Sequence, residues 1–252
     1  MSAPVFLAPS ADLARAVIGQ VMTVAGDEAH HAIASLRLRP GEQLDLVDGV
    51  GRRVLGTVDS VQGKDRLTVA VLGIVDQPAP SPRILVAQAL PKGERADLAV
   101  ELLTEVGVDA IIPWQARNCV SRWDDPAKQA RGVERWRATA RTAAKQARRS
   151  WIPEIAAPVS SSALAATLGS YRALVLHELA PAQPWWDAEP LGELPVLLIV
   201  GPEGGISPDE LAVLTGSGAE LIRVGPSVLR TSTAGAVAAA VLLSRSRRWA
   251  GL

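Results

Sequence analysis

The chain has 252 residues, 48% apolar and 21% charged, a balance that excludes a disordered or collagen-like chain and allows one or two domains with their own cores. Its 26 basic and 26 acidic residues cancel, so attraction to a polyanion must come from local clustering of charge. The single cysteine, Cys119, excludes an intrachain disulfide, and with three histidines it leaves too few ligands for a dedicated zinc site. The longest nearly apolar run, residues 234–243, is too short to span a bilayer, and residues 1–15 lack the pattern of a secretory leader. The expected setting is the cytoplasm, with no membrane and no metal.

Residues 1–75 read mostly as strand. Residues 21–24, 43–47, 52–61 and 66–75 are rich in β-branched side chains, and Asp48-Gly49 and Gly63-Lys64 mark turns between them. One helix over 27–36 interrupts, with Asp27 as its expected N-cap. The adjacent His30 and His31 point in different directions on a helix and make a poor metal pair, while Arg37 and Arg39 sit near its end, where cations are favoured. This part is expected to form a small, partly closed barrel. A linker follows over 76–82, where three prolines stand within 78–82 and can continue neither a helix nor a central strand.

Residues 83–252 alternate strand and helix. Strands are expected over 83–89, 110–113, 173–176, 196–200 and 221–224, and helices over 94–106, 126–150, 161–168, 208–215 and 231–249. Short apolar strands alternating with helices predict an α/β domain with a mainly parallel sheet covered on both faces. The first strand ends at Leu90-Pro91-Lys92-Gly93-Glu94-Arg95, where Lys92 and Arg95 are either phosphate contacts or ordinary surface charges. The long helix has an apolar face of Val133, Trp136, Ala140, Ala143, Ala144, Ala147 and Trp151. Between Lys128 and Arg149 stand eight basic residues and one acid, Glu134. A solvated face ordinarily mixes both signs, so this nearly pure cationic face favours phosphate binding.

The apolar strand 196–200 runs into Gly201-Pro202-Glu203-Gly204-Gly205-Ile206-Ser207, and the next strand runs into Val224-Gly225-Pro226-Ser227-Val228-Leu229-Arg230. Ligands of open α/β sheets bind outside the carboxyl ends of strands, and two glycine loops at neighbouring ends suggest one shared pocket. Each loop could equally be an ordinary tight turn. The glycine spacing fits neither a Walker loop nor the dinucleotide fingerprint, and Glu203 would repel a phosphate but suit a cationic ligand. Arg230 precedes a helix that Thr231 or Ser232 is expected to cap, an unfavourable place for a cation unless it serves a purpose.

Six segments, "HHAIASLRLRPGE", "ALPKGER", "LLTEVGVDAIIPW", "KQARRSWIPEI", "IVGPEGGISPDE" and "VGPSVLRTSTA", stand in the order and spacing of one family. Over nearly its whole length the chain resembles the RsmE-type 16S rRNA (uracil-N3)-methyltransferases of the SPOUT superfamily. The resemblance implies a PUA-like RNA-binding β-barrel over 1–75 and a methyltransferase domain over 83–252 whose last strands and helix form a trefoil knot, an exception to unknotted topology. It implies S-adenosylmethionine as cofactor, held by Leu176, His177, Gly201, Pro202, Glu203, Gly204, Gly205, Val224, Gly225, Val228, Leu229 and Thr231. It also implies a homodimer with its active site between subunits, and a uridine of 16S rRNA in the small ribosomal subunit as substrate. Candidate RNA contacts are Arg37, Arg39, Lys92, Arg95, Arg141, Lys145, Arg148 and Arg149. Many members carry an acid where Ser232 stands, and many begin with an arginine that this chain lacks, so no RNA contact is assigned to the first ten residues.

Methyl transfer from a sulfonium requires alignment and a deprotonated nitrogen. Alignment can contribute about 7–11 kcal/mol and a general base about 10²–10⁴-fold, so positioning dominates. Arg230 is the candidate for stabilising the uridine anion and Glu203 for accepting the proton or facing the sulfonium. Two alternatives are a SPOUT methyltransferase acting on another rRNA or tRNA base and a non-catalytic RNA-binding factor of ribosome assembly.

Overall fold

The computed structural model describes residues 3–180 and 194–249. The expected domains over 1–75 and 83–252 both include residues outside that set. The chain forms two compact units, one of Met1–Ala79 with Ala144–Ile152 and one of Pro80–Ala143 with Pro153–Leu252.

The first unit contains β1 (Val5–Leu7), α1 (Ser10–Leu13), β2 (Val21–Ala25), α2 (Asp27–His30), β3 (Gln43–Val47), β4 (Arg52–Gln62) and β5 (Arg66–Asp76). Its five-stranded sheet runs β1-β3-β4-β5-β2, parallel only between β1 and β3. Register shifts at Leu55/Gly56 and Val58/Ser60 bend the long β4–β5 ribbon. Phe6, Leu13, Leu44, Leu46, Val54, Leu67 and Val69 fill the core. Each full burial of this kind contributes about 1.5–3 kcal/mol. Asp27 lies in the first turn of α2 rather than at its cap. Gly26 takes the N-cap position with φ 78°, a conformation that glycine adopts without a Cβ penalty. The helix expected to reach residue 36 widens to a π turn over His31–Ser35.

The second unit contains β6 (Ile84–Ala89), α3 (Arg95–Val106), β7 (Ala110–Trp114), α4 (Pro126–Gln146, whose last residues belong to the first unit), β8 (Glu154–Ile155), α5 (Ser161–Thr167), β9 (Arg172–Leu176), β10 (Val196–Val200), α6 (Pro208–Gly216), β11 (Glu220–Ile222) and α7 (Thr231–Ser244). The sheet is parallel throughout, in the order β11-β9-β10-β6-β7-β8. Strands β6 and β10 are buried at every position, as expected of strands with elements on both faces. On one face α7 packs closely: a Cβ at Gly235 would stand 3.1 Å from Leu103 and 3.2 Å from Val200.

Three boundaries depart from the sequence expectation. Helix α4 stops at Gln146, before the helical spacing of Ala147 and Trp151 runs out. Arg148 adopts φ 54° and the Arg149 N–H turns back to the Ala144 carbonyl, a left-handed helix end. The Arg53 guanidinium meets the Arg148 carbonyl, and Trp151 donates to Gln77 O (3.3 Å), so partners within the first unit override the helical period. Strand β11 ends at Ile222 and α7 at Ser244. The N-cap of α7 is Arg230, with Thr231 and Ser232 buried in its first turn, so neither hydroxyl residue is the cap.

Candidate functional site

The carboxyl ends of β9, β10 and β11 point to one side of the sheet, and the loops that follow enclose a cavity of about 730 Å³, within the range of small-ligand pockets. The cavity brings together Leu176, His177, Gly201, Pro202, Glu203, Gly204, Gly205, Val224, Gly225, Val228, Leu229, Arg230 and Thr231, which are all the residues singled out as catalytic or cofactor-binding. It also takes in Arg95, expected as an RNA contact, and Glu178, Val200, Ile206 and Arg223, which local sequence did not mark.

The loop after β10 is held from several sides. Gly205 has φ 75°, and a Cβ at Gly201 would come within 2.7 Å of Ile206, so the chain can turn back here only without side chains. Asn118 donates its side-chain amide to Gly204 O (3.2 Å) and Gly205 O (3.0 Å). The backbone N–H of Lys92 donates to a Glu203 carboxylate oxygen at 3.3 Å, tying the loop to the turn after β6. The loop then enters α6 through a capping box, in which Ser207 and Glu210 satisfy each other's backbone N–H groups.

Glu210 is the hub behind the loop. It is buried, and it accepts from the Ser161 hydroxyl, the Arg117 N–H (2.8 Å) and the Ser207 hydroxyl (2.7 Å). Burial pushes its carboxyl up, but these hydrogen bonds together outweigh it and hold the group below its ordinary 4.5. Ser161 also accepts from the Trp114 indole at 3.1 Å, so β7, α5 and α6 meet at one carboxylate.

The second loop is less tied to the protein. A Cβ at Gly225 would meet nothing within 4 Å, and the apolar side chain of Val228 is 77% exposed. Open space before a glycine and an apolar side chain facing it are what a flat, partly apolar ligand needs. Arg230 fixes its backbone by accepting from Thr233 and Ala234 N–H at 2.9 Å, and its exposed guanidinium makes no ion pair among the described residues. Beneath the loop, buried Gln88 donates from Nε2 to the carbonyls of Ala89 (3.1 Å) and Thr231 (3.3 Å), fastening β6 to the start of α7. Its Oε1 has no partner among the described residues. Glu178 and Glu203 line the cavity with Arg95, Arg223 and Arg230, charges of both signs that suit a zwitterionic ligand.

The candidate RNA contacts divide by environment. In the first unit Arg37 and Arg39 are exposed, and Arg37 has φ 56°. Lys145 is half-buried, with both Glu28 carboxylate oxygens at 2.8 Å and the Phe6 ring centroid at 5.8 Å. Arg148 is exposed and Arg149 half-buried. In the second unit Lys92 is exposed, Arg95 lines the cavity and Arg141 pairs with Glu134 at 2.8 Å. The cationic face is thus partly neutralised, by Glu134 of the same helix and by Glu28 and Asp97 from outside it, the latter paired to Arg135. Among the described residues no group of three or more metal-ligating side chains occurs, and no helix is long and apolar enough to cross a membrane.

A family model described as an RNA methyltransferase domain matches residues 77–243, and one described as an RNA methyltransferase PUA domain matches residues 24–72. The chain is 46% identical over 236 residues to the ribosomal RNA small subunit methyltransferase E of Mycobacterium tuberculosis, covering 92% of this chain and 89% of that protein. It is 29% identical to the protein of the same name in Bacillus subtilis, over 84% and 85% of the two chains. Among solved structures, the Lpg2936 protein of Legionella pneumophila, in complex with the bound cofactor SAM, superposes with a TM-score of 0.84 at 29% identity, covering 98% and 99% of the chains. The SAM-bound ribosomal RNA small subunit methyltransferase E of Neisseria gonorrhoeae has the same fold, with a TM-score of 0.84 at 24% identity and coverage of 97% and 98%.

Proposed function

Since this chain belongs to the RNA methyltransferase family with a PUA domain, alongside ribosomal RNA small subunit methyltransferase E, we propose that it methylates N3 of a uridine in 16S rRNA, using S-adenosylmethionine. The observation that carries this reading is the cavity at the strand ends of a chain 46% identical to a small-subunit rRNA methyltransferase. Two glycine loops, an apolar wall and a carboxylate on Glu203 fit an adenosine bearing a cationic sulfonium.

S-adenosylmethionine, when bound, supplies an electrophilic methyl group. The chain's own residues do the rest. The loops 201–205 and 224–229 fix the cofactor's orientation and exclude water on one side. Glu203, steadied by the Lys92 N–H, faces the sulfonium or accepts the N3 proton. Arg230 projects from a backbone held by α7 and stabilises the negative charge that the uracil ring develops once N3 loses its proton. Held by these loops, the cofactor would supply its methyl group to N3 and leave as a neutral thioether.

The same reading includes a trefoil knot between β10 and α7, a homodimer with its active site between subunits, and a cytoplasmic location. Arg37, Arg39, Arg148 and Arg149 of the PUA-like unit, and Lys92, Arg95 and Arg141 of the methyltransferase unit, are its phosphate contacts. The deciding experiment is mass spectrometry of 16S rRNA from a strain lacking the protein. One methylated uridine should be lost and restored by the gene. Unchanged rRNA, or loss of a methyl at another base, would overturn the assignment. Sedimentation of the purified protein should report twice the chain mass.

A further inference from the structure

A second cavity, of about 300 Å³, shares a turn with the first. Arg95 lines the cofactor cavity, while Pro91, Gly93 and Ala96 line the second, and between them the Lys92 N–H reaches Glu203. Two tryptophans form its wall. Trp136 is 1% exposed, and Trp123 meets it edge to face with ring centroids 5.4 Å apart.

Trp123 is held as a rigid plate. A Cβ at Gly132 would fall 2.4 Å from its ring, so the indole lies directly against the backbone of α4. The Trp123 backbone is also held: its N–H donates to Gln115 Oε1 at 2.9 Å and its carbonyl accepts from Gln129 Nε2 at 3.1 Å. Along the same helix Lys128, Arg131 and Arg135 line the cavity, at i, i+3 and i+7. Lys128 lies 3.6 Å from Asp125, and Arg135 is paired with Asp97, whereas Arg131 makes no ion pair among the described residues.

We propose that this cavity binds one unpaired nucleotide of the RNA substrate, next to the nucleotide that is methylated. An aromatic plate with cations at its rim is how proteins hold single-stranded RNA: the base stacks and the phosphate meets the cation. The base lies against Trp123 and the phosphate meets Arg131, with Lys128 beside it. The inference rests on the reading of the chain as an RNA methyltransferase and adds a specific contact to it. The shared turn at Lys92 puts the bound nucleotide one step from the reaction.

The test uses the full chain with Trp123→Ala, Trp123→Phe and Arg131→Glu. Anisotropy of a fluorescent single-stranded decauridylate, and KM for methylation of small ribosomal subunits from a strain lacking the protein, report on RNA. Calorimetry reports on S-adenosylmethionine, and sedimentation on mass. Trp123→Ala should weaken RNA binding by about tenfold, as loss of one base–aromatic stack does, and Trp123→Phe should restore most of it. Arg131→Glu should weaken RNA binding and flatten its log–log salt dependence by about 0.7. Cofactor affinity and mass should stay the same. If Trp123→Ala does not fold, Arg131→Glu decides. Unchanged RNA affinity and KM in folded Trp123→Ala or Arg131→Glu would overturn the inference while leaving the methyltransferase reading intact, as long as the unaltered chain binds cofactor and methylates. Weakened RNA binding with a changed mass would make the cavity an interface between copies and overturn it too.

Discussion

Asn118 and Gly204 are fitted to each other: a Cβ added at Gly204 would stand 3.1 Å from the Asn118 Cβ and 3.2 Å from its carbonyl oxygen. The same asparagine donates to the carbonyls of Gly204 and Gly205, so one side chain from the loop after β7 sets the path of the loop after β10. Gly204→Val should displace that loop and weaken cofactor binding, and the methylation rate should fall by about 10²-fold, the loss that a misplacement near 1 Å in a site can cause. Asn118→Ala removes two hydrogen bonds without adding bulk. It should cost about 2 kcal/mol of loop order, or roughly thirtyfold in cofactor affinity. Calorimetry checks both, with circular dichroism establishing that the fold persists.

Gly225 and Gly201 should separate a ligand effect from a folding effect. A methyl at Gly201 would strike Ile206 at 2.7 Å, so Gly201→Ala should lower the melting temperature. A methyl at Gly225 meets only open space within the protein. Gly225→Ala should therefore leave the melting temperature within about 1 °C of the parent and weaken cofactor binding by about tenfold, the loss expected where a methyl occupies ligand space. Thermal unfolding with and without S-adenosylmethionine separates these outcomes; a Gly225→Ala chain with full affinity would move the cofactor away from this loop.

Residues 201–205 and 224–229 were legible in the sequence because glycines and prolines interrupt apolar strands, and strand ends are where α/β sheets bind ligands. What holds those loops was not. Asn118 lies 86 residues from Gly204, and Glu210 gathers Ser161 and the Arg117 N–H across the sheet, pairings that no local pattern encodes. Periodicity also misled where tertiary partners prevail. Ala147 and Trp151 extend the helical spacing of α4, yet Arg148 turns left-handed and Trp151 joins the first unit through Gln77. Strands β1 and β8, of three and two residues, are too short to carry an alternation at all.

The Glu210 hub predicts a specific pH dependence. The folded carboxyl sits below its ordinary 4.5, so the fold favours the deprotonated group. Its contribution to stability is complete above 4.5 and is lost as pH falls through the lowered folded value. Glu210→Gln replaces one acceptor oxygen with an NH₂ that faces donors. It should cost about 2 kcal/mol near neutral pH, a fall of about 4–8 °C in melting temperature for a chain of this size. The difference between parent and variant should narrow in acid. Melting curves measured from pH 7 down to pH 3 check this, and a difference that stays constant across the range would remove Glu210 from the account.

Lys145 and Arg141 sit on the same cationic helix but should behave differently. The Lys145 and Glu28 side chains are 18% and 26% exposed, Glu28 also accepts from the Leu7 N–H, and the ammonium lies over Phe6. Lys145→Met leaves Glu28 without its cation in a half-buried place and should cost about 1–3 kcal/mol, between the values for exposed and buried pairs. Arg141 meets Glu134 at the surface, and Arg141→Ala should change stability by less than about 0.5 kcal/mol. The salt dependence of RNA binding should respond in the opposite order: Arg141→Ala flattens its log–log slope by about 0.7, and Lys145→Met leaves it unchanged because that ammonium is already engaged. A slope that changes with Lys145 would mean that the pair with Glu28 opens on RNA.

Arg230 offers the sharpest separation of chemistry from binding. Its carbonyl accepts from the N–H groups of Thr233 and Ala234 and from the Thr233 hydroxyl, so the first turn of α7 fixes the backbone and leaves the side chain exposed beside the cavity. The position itself argues for a use. A guanidinium at the positive end of a helix costs a few tenths of a kcal/mol to about 1 kcal/mol, and a developing anion at that point would offset it. A donor that acts mainly on charge formed in the transition state affects kcat far more than ground-state binding. Arg230→Ala should therefore lower kcat by about 10²–10³-fold, with KM for small subunits and affinity for S-adenosylmethionine within about threefold. The melting temperature should hold, since the backbone bonds survive the substitution. Arg230→Lys keeps the charge but loses the planar fork and should recover only part of the rate. Raising the pH should narrow the gap between Arg230→Ala and the parent, because a larger share of the uridine is then already deprotonated before the methyl moves. A gap that is flat with pH, or a loss confined to KM, would place Arg230 in substrate binding and leave the uracil anion to another group of the cavity.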